Sequence, residues 1–168
     1  NEHTHSMFID VGGGSTEISI MSEQGLVDLK SFKIGTVRLL RDQVKKKEWA
    51  IMREWLNDHK KLFDNMIFVA AGGSINKIAR LYGRVNDNTL PYNNLEYAIK
   101  ELERFSLRQR IELMGLKPDR ADVILPAANI YHYIMKSTKA QYIYVPKIGL
   151  CDGVVSMLYR EISEGKQS

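Results

Sequence analysis

Two carboxylates, Asp10 and Glu17, bracket the run Gly12-Gly13-Gly14-Ser15 near the start of the chain. Successive glycines admit backbone conformations closed to other residues and let the main chain approach a ligand closely. Consecutive amides in such a turn converge on an anion, and a phosphate oxygen suits them. Carboxylates beside a phosphate would repel it, so the arrangement makes chemical sense with a divalent cation between them. Mg²⁺ takes carboxylate, water and phosphate oxygens and fits that position. Asp10 and Glu17 are therefore the expected metal ligands, and Gly12, Gly13, Gly14 and Ser15 the expected phosphate-binding residues. The plain alternative is a glycine hairpin with solvent-facing acids.

A second turn, Ala70-Ala71-Gly72-Gly73-Ser74, closes an apolar strand and opens a helical pattern. Gly72 and Gly73 let a ligand lie against the backbone, and a helix N-terminus offers free amides at its positive end. Ser74 suits a phosphate contact and an ordinary N-cap equally. Two familiar nucleotide motifs do not fit the first turn. A Walker A loop needs a lysine entering a helix, and a dinucleotide fingerprint needs a glycine where Glu17 stands, followed by a helix.

These turns need elements to hold them. Met7 to Val11 is a short apolar run, and Thr16, Ile18 and Ile20 alternate with more polar neighbours at the period of a strand. Leu26 to Ile34 reads as a third strand after a tight turn at Gln24-Gly25, giving an antiparallel meander. Helical spacing follows over 37–44 and 48–63. Met66 to Ala71 is a fourth strand, a helix begins beyond Ser74, and the polar stretch 83–91 reads as loop. Two amphipathic helices cover 95–105 and 107–114, stopped by Gly115. A longer buried helix runs from Pro118 to about Lys136, with Pro126 expected to kink or break it. Tyr142 to Val145 is the fifth strand, and Val154 to Ile162 a closing helix. This order predicts an α/β fold, a mixed five-stranded sheet with helices packed against it.

The 168 residues fit one domain, and an apolar share of 44% is ordinary for a soluble fold. The net charge of +4 is compatible with an anionic ligand without selecting one. The single cysteine, Cys151, rules out an internal disulfide framework and a multi-cysteine zinc site, and fits a reducing, cytoplasmic compartment. No apolar run approaches membrane-spanning length. Nothing points to a specific nucleic-acid partner.

Taken in order, several segments resemble the Ppx/GppA phosphatases. Asp10-Val11-Gly12-Gly13-Gly14-Ser15-Thr16-Glu17 is similar to that family's second phosphate motif. Gly35-Thr36-Val37-Arg38-Leu39, Ala71-Gly72-Gly73-Ser74 and Arg120-Ala121-Asp122-Val123-Ile124-Leu125-Pro126 resemble three further family segments, and Gly149 to Val154 resembles its last. Cys151 stands where the family usually has arginine. The resemblance implies one lobe of an actin-like, ribonuclease H-like ATPase fold and a Mg²⁺-dependent hydrolase of terminal phosphoanhydride bonds. Its substrate would be polyphosphate or guanosine pentaphosphate. Asp10 and Glu17 would hold the metal or orient the attacking water.

The family's first phosphate motif and an upstream catalytic glutamate do not occur here, and Glu2 lies too close to Asp10 to serve. The chain, which opens without an initiator methionine, is thus expected to be a second lobe. It would hold half an active site, act with its own N-terminal lobe, form a homodimer in the full-length protein, and hydrolyse little alone. Two other readings stand beside this one: a nucleotide-dependent actin-like assembly module, and a lobe of a sugar or acetate kinase. Arg38 is expected either to touch substrate or to pair with an acid of the sheet. Arg120 and Asp122 are expected as helix-start and ion-pair groups, Lys45-Lys46-Lys47 and Lys60-Lys61 as solvated helical faces. The histidines show no ligand spacing, and Trp49, Trp55 and Cys151 read as packing residues.

Overall fold

The computed structural model describes residues 5–84 and 86–146. The expected meander is present. β1 (His5–Val11) pairs antiparallel with β2 (Thr16–Ser22), and β2 pairs antiparallel with β3 (Gly25–Phe32). Side chains alternate between faces along a strand, so Met7, Ile9, Ile18 and Ile20 share one face, and all are buried. Asp10 and Glu17 stand opposite each other on the other face. Gly25 takes φ +116° at the β2–β3 turn, a conformation that costs other residues heavily.

β4 (Met66–Ala71) lies parallel to β1 on its far side, with Ile9 beside Ala70 and Asp10 beside Ala71. β6 (Tyr142–Tyr144) runs parallel to β4 and β5 (Thr89–Pro91) antiparallel to β6, completing the order β3-β2-β1-β4-β6-β5. The sheet thus has six strands rather than the expected five, because Thr89–Pro91 pairs where a loop was expected. Three residues are too few to display a period, and Pro91 is admissible because the strand sits at the sheet edge. Leu90, fully buried, anchors it.

The helices depart from the expected spans mainly at their ends. α1 (Thr36–Leu40) is short, closing before Asp42 at φ 54°. α2 (Lys46–Asp58) stops at His59, and residues Lys60–Asn65 continue as a 3-10 helix instead of α-helix. α3 (Gly73–Tyr82) and α4 (Tyr92–Arg104) follow the amphipathic pattern. α5 (Leu107–Met114) starts at a capping box between Ser106 and Gln109 and ends at Gly115 with φ 60°.

The expected long helix is two, α6 (Pro118–Ala121) and α7 (Ile124–Thr138). Pro126 is the third residue of α7, and the break falls at Asp122 and Val123. A proline ring clashes with the carbonyl four residues earlier, so the helix yields there and not at the proline itself. The apolar character of α7 is explained by its place. It touches α1, α2, α3, α4 and α6, and Ile130, Tyr131 and Ile134 join the single hydrophobic cluster that includes Met7, Ile9 and Phe68 of the sheet. The expected helix over 154–162 and the Gly149 to Val154 segment lie outside the described residues.

Candidate active site

The two turns meet at the upper end of the β1–β4 pair. A Cβ on Gly72 would sit 3.8 Å from Asp10 Oδ1, so both turns border one carboxylate. Asp10 and Glu17 are directly opposite in the β1–β2 ladder, which directs both side chains to one face a few ångströms apart. The Asp10 carboxyl is raised above its ordinary range, first by partial burial and then by the charge of Glu17. A carboxyl whose ionisation is held back by burial and by a neighbouring acid is a suitable seat for a cation. Among the described residues no group of three or more His, Cys, Asp or Glu gathers. The donor set is therefore two carboxylates, which fits Mg²⁺, an ion that keeps several waters and completes its shell with phosphate oxygens.

The glycine loop is held from below. The Gly12 amide donates to Ser15 O at 2.9 Å, closing the turn, so Gly12 keeps no free amide. Gly13, Gly14 and Ser15 make no amide hydrogen bond among the described residues. The loop's carbonyls do the anchoring: Gly12 O accepts from Thr36 N at 2.9 Å, and Gly13 O from Val37 N at 3.0 Å and Arg38 N at 3.2 Å. These contacts consume the first amides of α1. Thr16, fully buried, donates its hydroxyl to Ile34 O at 2.7 Å and ties the far end of the loop to the same segment. A side chain on Gly35 would run into the Gly13 carbonyl, which explains a glycine there. None of Gly12, Gly13 and Gly14 takes a positive φ. Space constrains two of them, with Val37 Cγ2 only 3.2 Å from where a Gly13 Cβ would lie and Ser15 O 3.3 Å from a Gly12 Cβ, whereas Gly14 has room.

Among the described residues Arg38 forms no ion pair with an acid of the sheet. Its Nε donates to Gly14 O at 2.7 Å, so the side chain braces the loop from the rim. Glu17 Oε1 accepts two hydroxyl hydrogen bonds, from Ser15 Oγ at 2.6 Å and from Ser31 Oγ at 2.8 Å. Those bonds fix the carboxylate and leave Oε2 as its unbonded oxygen. Ser31 escaped the sequence reading for a definite reason. Counting back from the Ser22–Gly25 closure puts Lys30 opposite Glu17, and only the bulge between Ile20 and Met21 shifts the register to Ser31.

At the second turn Gly72, with φ +134°, is the N-cap of α3, and Gly73 and Ser74 are its first two residues. Ser74 is therefore not the N-cap, and no side chain among the described residues caps this helix. Among the described residues the Gly73 and Ser74 amides make no hydrogen bond, whereas Asn76 N donates to Gly72 O at 3.0 Å. A Cβ on Gly73 would overlap the Arg120 guanidinium, whose Cζ would lie 2.7 Å away. Arg120 does stand 3.8 Å from Asp119, as an ion-pair residue should. Its guanidinium nevertheless covers the start of α3, which places a fixed positive charge beside the second turn. Sequence offered Arg120 as a helix-start and ion-pair group; its approach to Gly73 is a tertiary fact. The segment containing Cys151 lies outside the described residues.

A three-strand meander continued by parallel strands, with glycine turns at one end and helices against the sheet, defines an α/β lobe of the actin-like ATPase fold. The comparisons make this specific. The profile of the Ppx/GppA phosphatase family matches residues 1–161. The chain is 25% identical over 169 aligned residues to an exopolyphosphatase 1 of Mycobacterium tuberculosis, covering 88% of this chain and 48% of that protein. It is 27% identical over 165 residues to a bifunctional 3-dehydroquinate synthase/phosphatase of Fusobacterium nucleatum, covering 83% of this chain and 24% of that one. Among solved structures, the Aquifex aeolicus Ppx/GppA phosphatase superposes with a TM-score of 0.70 at 22% identity, over 92% of this chain and 57% of that one. An exopolyphosphatase from Cytophaga hutchinsonii gives 0.67 at 19%, over 95% and 58%. The chain belongs to the Ppx/GppA phosphatase family. It spans about half the length of the exopolyphosphatases it matches.

Proposed function

We propose that this chain is the second lobe of a Mg²⁺-dependent phosphatase that hydrolyses terminal phosphoanhydride bonds of inorganic polyphosphate or guanosine pentaphosphate, and that it supplies half of the active site. The observation that carries the reading is the cross-strand pair Asp10 and Glu17 beneath two turns in which the amides of Gly13, Gly14, Ser15, Gly73 and Ser74 make no hydrogen bond among the described residues. Family membership supports the reaction class, and the exopolyphosphatase names of relatives support polyphosphate. The single cysteine suits a cytoplasmic enzyme.

Asp10 and Glu17 would hold the metal, which neutralises phosphate charge when bound. The amides of Gly13, Gly14 and Ser15 cradle the terminal phosphoryl group, and those of Gly73 and Ser74 take the neighbouring phosphate. Arg120 adds a cation beside the second turn, worth more to a phosphate there than in open water. Glu17, locked through Oε1 by Ser15 and Ser31, has Oε2 left either to hold the metal or to orient the attacking water. Positioning and charge stabilisation dominate in phosphoryl transfer generally. The upstream lobe would supply the remaining groups.

The test is Mg²⁺-dependent phosphate release from polyphosphate and from guanosine pentaphosphate. Three proteins are compared: the chain alone, the chain joined to an N-terminal lobe of the family, and the joined protein with Glu17→Ala. Activity confined to the joined protein and lost with Glu17→Ala supports the reading and names the substrate. Strong turnover by the chain alone overturns the half-site. No hydrolysis of either substrate by the joined protein overturns the phosphatase reading.

A further inference from the structure

The sheet has two edges, and they are protected differently. β5 is three residues long and ends on Pro91, so it offers a second chain almost no ladder to extend. β3 is eight residues long and carries Leu26, Val27 and Leu29 exposed along it. A long edge with exposed apolar side chains invites another strand.

The direction of its free backbone groups follows from the β1–β2 turn. Gly12 N–H donates to Ser15 O, which makes Gly12–Ser15 a hydrogen-bonded rung. Bonded and unbonded rungs alternate in an antiparallel ladder. Glu17 and Ser19 therefore turn their backbone groups to β1, and Thr16, Ile18 and Ile20 turn theirs to β3. Phe32, Lys30 and Asp28 are the residues that meet them. Leu29 and Ser31 are left with amides pointing out of the sheet, to the place where a further strand would lie.

The Leu29 amide is already taken. It donates to Asp28 Oδ1 at 2.7 Å. The other oxygen of that carboxylate is fixed from α2: Trp55 Nε1 donates to Asp28 Oδ2 at 2.8 Å, and His59 Nε2 stands 3.3 Å from the same atom. Trp55 is buried and packs edge-on against Phe32, with ring centroids 5.7 Å apart. A solvated aspartate that bonds to the next residue's amide is commonplace. One anchored by a buried indole is a fixed group, here reaching round the strand to the edge donor at the middle of β3. Two common deterrents flank it. Val27 is a bulged residue that no residue of β2 faces, and Lys30 puts a charge on the edge.

We propose that Asp28 guards the β3 edge: its carboxylate, held by Trp55 and His59, occupies the Leu29 amide and keeps a second copy of this chain from adding its own β3. Another β3 is the strand excluded because this one is self-complementary about Leu29. With Leu29 on a two-fold axis, an antiparallel pair sets Leu29 against Leu29, apolar on apolar, with the outward backbone groups of both copies in register. The Leu29 amide is the central donor of that ladder, and it is the donor Asp28 removes. The guard is independent of the reaction proposed above.

The experiment uses the chain joined to an N-terminal lobe of the family. Its first arm needs no variant: amide hydrogen exchange resolved to single residues and corrected for intrinsic rates. Leu29 should exchange about tenfold more slowly than Ser31, the outward amide that makes no hydrogen bond among the described residues. Equal rates overturn the guard. Protection of both amides that grows with protein concentration also overturns it, because β3 would then already be paired between copies. The second arm is sedimentation of Asp28→Ala beside the parent. Loss of the guard should tighten self-association by about ten- to a hundredfold, the effect of roughly two ladder hydrogen bonds gained across the axis. Leu29→Lys added to Asp28→Ala should reverse that gain. Unchanged association of a folded Asp28→Ala overturns the proposal. So does association that Leu29→Lys leaves intact, since the contact would lie elsewhere. If Asp28→Ala fails to fold, Trp55→Phe takes its place: it keeps the carboxylate, removes one of its two holders, and should shift association in the same direction by a smaller factor.

Discussion

Ser31 is the least conspicuous residue of the site and one of the most testable. Its hydroxyl shares Glu17 Oε1 with Ser15, so removing it leaves the carboxylate with one tether. Loss of a hydrogen bond to a metal-ligating carboxylate typically costs about ten- to a hundredfold in affinity or activity. Ser31→Ala is expected at the lower end, with a raised Mg²⁺ requirement, and Ser31→Thr should restore most of it. A Mg²⁺ titration of phosphate release in the two-lobed protein reads this directly. Asp10 makes a different prediction. Its folded carboxyl titrates above the unfolded value of 3.8, so the native state binds the proton more tightly than the unfolded one. Its ionisation therefore removes stability as pH rises through the folded value, and the cost persists at neutral pH. On the proposed reading, Asp10→Asn should raise the Tm of the metal-free protein at neutral pH and abolish the further rise expected on adding Mg²⁺, while reducing turnover by the joined protein by about a hundredfold or more. An unchanged Tm would show that the two carboxylates do not strain each other.

The elements are joined to the site through backbone contacts, and two glycines separate holding the loop from holding the ligand. Gly35 faces the Gly13 carbonyl, rigid main chain that cannot step aside. Gly35→Ala should therefore destabilise by about 1–3 kcal/mol, the usual cost of forced overpacking, seen as a lower urea midpoint. Gly73 faces the end of a flexible arginine. Gly73→Ala should cost less than about 1 kcal/mol, since a side-chain tip can move, yet it displaces Arg120 and should weaken substrate use, raising KM. Equal stability losses for the two would mean that Arg120 is as fixed as the main chain. The α6–α7 break belongs to this scale too. Pro126 moves the joint upstream to Asp122 and Val123 and so ends α6 directly after Arg120 and Ala121.

Across the whole molecule, α7 is the hub. Ile134 is fully buried in the cluster that links the helices to the sheet. Ile134→Ala should cost about 2–5 kcal/mol, and a shared core implies that the loss appears as one shifted transition with an unchanged m-value. Separate transitions for meander and helices would refute a single core. β3 shows the opposite character at the sheet edge, where Leu26, Val27 and Leu29 remain exposed.

Much of this was readable in the residues. The alternation of Thr16, Ile18 and Ile20, the glycine runs and the stop at Gly115 report local physics, in which backbone freedom and side-chain period act over a few positions. They were enough to set the meander, the buried fourth strand and the pairing of two acids with two turns. What needed tertiary structure was every feature set by a neighbour distant in sequence. The bulge that exchanges Lys30 for Ser31, the sixth strand at Thr89–Pro91, the use of α1's first amides by the glycine loop, and the placing of Arg120 over Gly73 are of this kind. Each depends on how strands and helices pack after they form. A sequence records which groups are available, and only the packed chain decides which of them meet.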